Sequence, residues 1–177
     1  VRGGRDFPLT EFRGRESAAT EAVGYGKALM GFHMVRRHVG DAAFRKTLAR
    51  FYTDFRGKRA TFDDFRATAE AVSGKPLAWL FDGWVKRAGA AELVLGPATV
   101  ARDGEKWKVT GTLRQVQKDA PFPLEVPLSV VTEKGTVRHV ARLEGAEARF
   151  EIATDAPPLS LAADPQFDLF RKLDPRE

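Results

Sequence analysis

The spacing of apolar residues changes near residue 92, from a helical repeat to an alternating one. Across residues 25–39, apolar side chains recur at i, i+3, i+4 and i+7, which is typical of an amphipathic helix. After residue 92, apolar and polar residues alternate over short segments that Gly and Pro separate, which is typical of strands. The pattern predicts an α+β fold, with a helical part at residues 1–91 and a β part at residues 92–177.

Four helices are predicted in the first part, and the short loops between them favour an antiparallel helical layer. Their bounds are residues 25–39, Asp41 to Gly57, Thr61 to Ser73, and Pro76 to near Gly89. The first helix carries an apolar face made of Tyr25, Ala28, Leu29, Phe32 and Val35. Thr61 with Asp64 three residues later forms a capping box. Buried aromatic and leucine side chains of these helices should supply much of the core.

Six or seven short strands are predicted in the second part. Their segments are 92–100 with a break at Gly96-Pro97, 106–117, 124–132, 137–143, 148–152 and 159–162. Glu133-Lys134-Gly135 forms a tight hairpin turn between two of them. Short strands at this spacing favour a small antiparallel β-sandwich.

Composition excludes several classes of protein. The net charge of +5 is spread along the chain, so no basic run predicts a nucleic-acid-binding arm. The absence of cysteine excludes disulfides and thiol chemistry and leaves the compartment open. No apolar stretch is long enough to span a membrane. Because the chain begins at Val1 rather than Met, we treat it as a piece of a longer protein.

No metal site is predicted within the chain. His33 and His38 lie five residues apart, whereas helical metal ligands need a spacing of four to share one face. His139 lies in a predicted strand and is expected to face solvent. The acidic pair Asp63-Asp64 opens a helix, where carboxylates suit the helix dipole.

Tyr25 is the main candidate for chemistry. It begins the first helix between Gly24 and Gly26, and a phenol held at the first turn of a rigid helix can direct a hydrogen bond at a developing oxyanion. The same pattern also fits a core tyrosine, which the spacing alone favours. The neighbouring Lys27 is expected to be a solvated lysine at the helix start.

Several motifs, in their order, resemble gluzincin zinc aminopeptidases, the family of membrane alanyl aminopeptidase and leukotriene hydrolase. The first group of motifs is Tyr25-Gly26-Lys27-Ala28, Gly40-Asp41-Ala42-Ala43-Phe44 and Thr61-Phe62-Asp63-Asp64-Phe65. The second is Ser73-Gly74-Lys75-Pro76-Leu77, Phe81-Asp82-Gly83-Trp84, Trp107-Lys108-Val109 and the ending Asp164-Pro165 to Leu173. The resemblance implies that residues 1–91 form the helical C-terminal half of a thermolysin-like catalytic domain and residues 92–177 a β-sandwich domain.

The resemblance also implies a function. Tyr25 matches the family's tyrosine that stabilises the oxyanion of the tetrahedral intermediate. The family's His-Glu-x-x-His metal motif is absent from the sequence, so zinc is expected in the full-length protein and not in this fragment. The parent protein is expected to remove N-terminal residues from peptides, with the upstream part of the same protein as partner. The fragment alone is expected to be inactive.

A non-enzymatic alternative stays open from the residues. The chain could be a helical plus β-sandwich module for protein interaction, or the tail of an inactive homologue. A piece of a larger enzyme should expose apolar residues on its first helices, whereas a self-contained module should not.

Overall fold

The computed structural model describes residues 6–173, which form an α+β fold in two compact units. Unit 1 is helical and extends to Gly89, and unit 2 is built of strands and begins at Ala90. This arrangement confirms the predicted fold class, a helical layer followed by a small β domain. Among the described residues, no helix combines the length and apolar character needed to cross a membrane.

Unit 1 contains five α-helices within residues 6–89, together with a 3-10 turn at Leu9–Glu11 and a π-helical segment at Ala22–Lys27. The α-helices are α1 (Ala18–Glu21), α2 (Ala28–Val39), α3 (Asp41–Phe55), α4 (Phe62–Ser73) and α5 (Ala78–Trp84). Gly40 separates α2 from α3 at a φ of 90°, a conformation that favours glycine. The predicted capping box of α4 is confirmed, since Thr61 Oγ1 accepts from Asp64 N at 3.2 Å and Asp64 Oδ2 accepts from Thr61 N at 2.8 Å.

The last helix is shorter than predicted at both ends. It begins at Ala78 rather than Pro76, because Leu77 N donates to Glu70 Oε1 at 2.7 Å and Leu77 keeps a non-helical conformation. It ends at Trp84 rather than near Gly89. Leu77 is nevertheless fully buried, so the predicted apolar contribution of this region to the core is preserved.

The apolar face predicted for the first helix is wrong in part. Tyr25 is 58% exposed and Leu29 is 69% exposed, whereas Val35 is buried as predicted. The buried stripe instead includes Lys27 and Gly31, which a count of apolar residues omits. A π-helical turn also holds more residues than an α turn, so the faces of this segment are displaced from a regular 3.6-residue repeat.

Unit 2 contains two sheets. The strands are β1 (Ala91–Leu95), β2 (Thr99–Asp103), β3 (Lys106–Gln115), β4 (Leu124–Thr132), β5 (Gly135–Leu143), β6 (Glu147–Thr154), β7 (Pro158–Ala163) and β8 (Arg171–Lys172). One sheet joins β2, β3, β1 and β8, with β6 also paired to β3, and the other has the order β5-β4-β7. Among the described residues, the strand pairings are antiparallel except that of β1 with the two-residue strand β8, which the sequence did not predict.

Alternation of side chains builds the core of unit 2. Val126, Leu128 and Val130 of β4 are fully buried, and Phe150 and Ile152 of β6 are buried at alternate positions. The two sheets thus each present one apolar face, the arrangement expected of a small sandwich. His139 is a correction here, because it is half-buried and shares the face of β5 that carries buried Ala141.

Candidate functional site

Tyr25 lies in the π-helical segment Ala22–Lys27, between α1 and α2. A capping box formed by Ser17 and Thr20 starts α1, which leads directly into the π segment. The side chain of Tyr25 is 58% exposed, which places the phenol on the surface of unit 1 rather than in its core. Single π turns inside α-helices are frequent at functional sites.

One side of Tyr25 is set by an aromatic contact. The Phe12 ring meets the Tyr25 ring edge to face, with centroids 6.0 Å apart and planes at 77°. Phe12 can approach because residue 24 is glycine: a Cβ on Gly24 would lie 2.2 Å from the Phe12 ring. A Cβ on Gly26 would meet nothing within 4 Å. Gly24 therefore serves close packing beside the tyrosine, and Gly26 does not.

Lys27 is buried, contrary to the expectation of a solvated lysine. Its side chain is among the fully buried ones, with 1% exposure, and Lys27 Nζ donates to the carbonyl of Arg87 at 2.6 Å. Burial lowers the pKa of Lys27, Asp6 opposes this shift and the charge of Arg87 adds to it. The same Asp6 accepts a hydrogen bond from Gly89 N, so the N-terminal segment and the end of unit 1 meet around this lysine.

The carbonyl of Lys27 has a second anchor. Trp84 Nε1 donates to Lys27 O at 2.8 Å, and Trp84 is 4% exposed. The indole lies against α2 at Gly31, where a Cβ would fall 1.5 Å from the ring. Both ends of Lys27, its ammonium and its carbonyl, are thus bonded to the region that closes unit 1.

The histidines do not form a metal centre. His33 is half-buried on α2, and His38 packs edge to face against Trp79 with centroids 5.5 Å apart. Within residues 6–173, no group of three His, Cys, Asp or Glu side chains is placed to hold a metal ion. The described residues therefore do not fit a zinc site of their own.

The fold is similar to that of a solved structure. The chain matches the crystal structure of Legionella pneumophila aminopeptidase A in complex with aspartic acid, with a TM-score of 0.68 and 19% identity over 90% of this chain and 18% of that one. This match shows a shared fold. No protein-family model matches the chain.

Two curated relatives resemble the chain in sequence. It is 27% identical over 118 residues to "Tricorn protease-interacting factor F2" of Thermoplasma acidophilum, covering 65% of this chain. It is 24% identical over 106 residues to "Probable aminopeptidase 2" of Sulfurisphaera tokodaii, covering 59% of this chain. The matches span 14% of the length of each relative. The chain is thus similar, in sequence and in fold, to parts of proteins named as aminopeptidases, as its motifs predict.

Sequence reasoning found Tyr25 but not the residues that hold it. Lysine is rarely fully buried, so a lysine at a helix start predicts a solvated side chain. The glycines at positions 24, 26 and 31 could have signalled close packing, because two of them, Gly24 and Gly31, lie where an aromatic ring packs against the backbone. The partners are distant in the sequence: Phe12 is 12 residues before Gly24, and Trp84 is 57 residues after Lys27, beyond the reach of a periodic pattern.

Proposed function

We propose that this chain is part of a zinc-dependent aminopeptidase that removes N-terminal residues from peptides. In this proposal residues 1–91 are the helical C-terminal half of the catalytic domain and residues 92–177 a β-sandwich domain. The relationship to proteins named as aminopeptidases supports the reaction class. Because the described residues provide no metal site, the zinc ligands are assigned to the rest of the intact protein, and the chain alone is proposed to be inactive.

Tyr25 is the proposed catalytic residue of this chain. Its hydroxyl donates a hydrogen bond to the oxyanion of the tetrahedral intermediate formed on the substrate carbonyl. The observation that carries the proposal is an exposed phenol on a turn anchored from inside, with Phe12 on one side and buried Lys27 two residues on. A donor fixed before the reaction stabilises charge without having to reorganise, and removal of one such donor typically costs about 10²–10³ in kcat.

Exposed apolar residues in unit 1 support a piece of a larger enzyme rather than a self-contained module. Tyr25 and Leu29 lie four residues apart on one helical path, and Leu48 and Tyr52 lie four apart on α3. On the α-helix α3, residues at this spacing are neighbours on the surface, so Leu48 and Tyr52 form one exposed apolar stripe. Tyr25 and Leu29 are exposed on either side of the junction between the π segment and α2, and form the second stripe. We propose that the upstream part of the same protein covers these stripes and that the peptide substrate reaches Tyr25 at their margin.

The test is Tyr25→Phe in the intact protein, which removes only the hydroxyl. We expect kcat for an aminoacyl anilide to fall by about 100-fold or more, with KM nearly unchanged, because the lost bond forms only as the oxyanion develops. Tyr52→Phe is the matched control, since Tyr52 is 66% exposed in the same unit, its hydroxyl has no proposed part in the reaction, and the ring that belongs to the apolar stripe is kept. A Tyr25→Phe enzyme with the turnover of the Tyr52→Phe control would remove Tyr25 from the mechanism.

A further inference from the structure

Lys27 is the feature of unit 1 that the proposed mechanism does not use. Its ammonium group is buried, and burying a charge is costly unless the charge is hydrogen-bonded and paired. Lys27 Nζ bonds to the carbonyl of Arg87 and feels the charge of Asp6, so replacing the lysine alone would remove a partner from both. These contacts serve the stability of unit 1, and the place of Lys27 beside Tyr25 points to a second role.

The second role follows from the position of Lys27. It is the last residue of the π segment, and Tyr25 lies two residues before it in the same turn. A π turn can relax to an α turn by displacing one residue, and a displacement of one residue rotates a helical side chain by about 100° around the axis. Such a relaxation would carry the phenol of Tyr25 away from its present direction.

Two hydrogen bonds oppose that relaxation. Lys27 Nζ donates to Arg87 O at 2.6 Å, and Trp84 Nε1 donates to Lys27 O at 2.8 Å. Arg87 and Trp84 are 60 and 57 residues away along the chain, so the anchor is outside the helix and independent of its own hydrogen bonds. Rotation of the turn would have to break both contacts.

We propose that Lys27 is a positioning residue that locks the π-helical turn and thereby fixes the direction of the Tyr25 hydroxyl. The inference rests on the proposed function, because it needs Tyr25 to act on the substrate. Lys27 itself touches no reacting atom in this account. Its effect on the reaction passes entirely through Tyr25.

A double-mutant cycle in the intact protein tests this. The four proteins are the unmodified enzyme, Lys27→Met, Tyr25→Phe and the double variant, assayed with an aminoacyl anilide well below their Tm. We expect Lys27→Met to lower kcat roughly tenfold to hundredfold with KM nearly unchanged, because small misplacements of a catalytic group have effects of this size. In the Tyr25→Phe background the same change should alter kcat less than twofold.

A purely structural lysine would behave differently. Lys27→Met would then lower kcat by the same factor with and without the Tyr25 hydroxyl, or it would lower Tm alone. Either result would overturn the inference, provided that Tyr25→Phe still shows its large loss of kcat. If Tyr25→Phe itself leaves kcat unchanged, the proposed function fails first. Phe65→Leu is the control for general destabilisation, since Phe65 is buried in α4, and it should lower Tm with kcat unchanged in both backgrounds.

A second variant covers the case in which Lys27→Met does not fold. Trp84→Phe removes the Nε1 donor to Lys27 O and keeps an aromatic ring at the site. We expect its loss of kcat also to disappear in the Tyr25→Phe background. Equal losses in the two backgrounds would overturn the proposed locking of the turn.

Discussion

The two units bury charged groups in different ways. In unit 2, Arg171 Nε donates to Asp164 Oδ2 at 2.8 Å, and Asp168 N donates to the other carboxylate oxygen, so all three residues lie within eight positions of one another. In unit 1, the ammonium of Lys27 reaches a backbone carbonyl 60 residues away. The first arrangement shapes a local turn, and the second ties distant segments together beside an exposed tyrosine.

The difference distinguishes the Asp164–Arg171 pair, which has a structural role, from Lys27, which lies beside a candidate functional residue. Asp164 has a φ of 50° and Phe167 a φ of 55°, so the buried pair of Asp164 with Arg171 holds a turn in an uncommon backbone conformation just before β8. Burial raises the pKa of Asp164 although Arg171 opposes the shift. No exposed group with proposed chemistry depends on this pair, whereas Lys27 is two residues from Tyr25.

The exposed apolar residues of the two units differ in arrangement. Unit 2 also exposes large apolar side chains, such as Val100, Val116 and Val140, but they lie singly on separate segments. Scattered exposed residues of this kind are normal on protein surfaces. In unit 1 they occur as pairs four residues apart, which makes a stripe available for a partner surface.

The largest effect on stability is expected in unit 2. Arg171→Met leaves Asp164 buried without its cationic partner, and removing one member of a buried pair typically costs about 3–5 kcal/mol. The free energy of unfolding from denaturant titration measures this loss. Lys172→Met is the neighbouring control and should cost less than about 1 kcal/mol, because its ion pair with Glu92 is exposed. Equal losses for the two variants would mean that burial of the pair has no special role.

A smaller effect is expected beside the tyrosine. Gly24→Ala forces the Phe12 ring to move, and overpacking of this kind typically costs about 1–3 kcal/mol. Since Phe12 contacts Tyr25, kcat of the intact protein should fall as well. Gly26→Ala is the matched control, because its Cβ meets nothing within 4 Å, and thermal unfolding with steady-state kinetics compares the two. If both alanines behave alike, the Phe12 contact does not orient Tyr25.

The smallest effect is expected on the apolar stripes. Leu29→Gln and Leu48→Gln in the isolated chain should each change the free energy of unfolding by no more than about 0.5 kcal/mol, because both side chains are exposed. Met34→Ala, a buried position on the same helix as Leu29, should cost about 2–5 kcal/mol by comparison. Losses at Leu29 or Leu48 as large as at Met34 would show that these residues already belong to the core of unit 1.

Strand positions were easier to predict than helix faces. β4 was predicted at residues 124–132 and is found at Leu124–Thr132, because alternation along a strand and the hairpin signal at Glu133-Lys134-Gly135 both fix its bounds. β8 was missed because two residues carry no pattern. On the first helix, the period of 3.6 residues fails at Tyr25, where the backbone is π-helical. Leu29 lies in the regular helix α2, but six residues before Val35 it is about 120° away around the axis, so the two do not share one face.

The sequence by itself determined the α+β order of the chain, the helix boundaries at Gly40 and Thr61, and Tyr25 as the candidate residue, because periodicity, capping and short motifs are local properties. Only the tertiary structure decided that Tyr25 is exposed and that Lys27 is buried. Those outcomes depend on Phe12, Trp84 and Arg87, which reach the π turn through space. A contact between residues some 60 positions apart leaves no periodic signal in a single sequence, so its consequences appear only when the chain is folded.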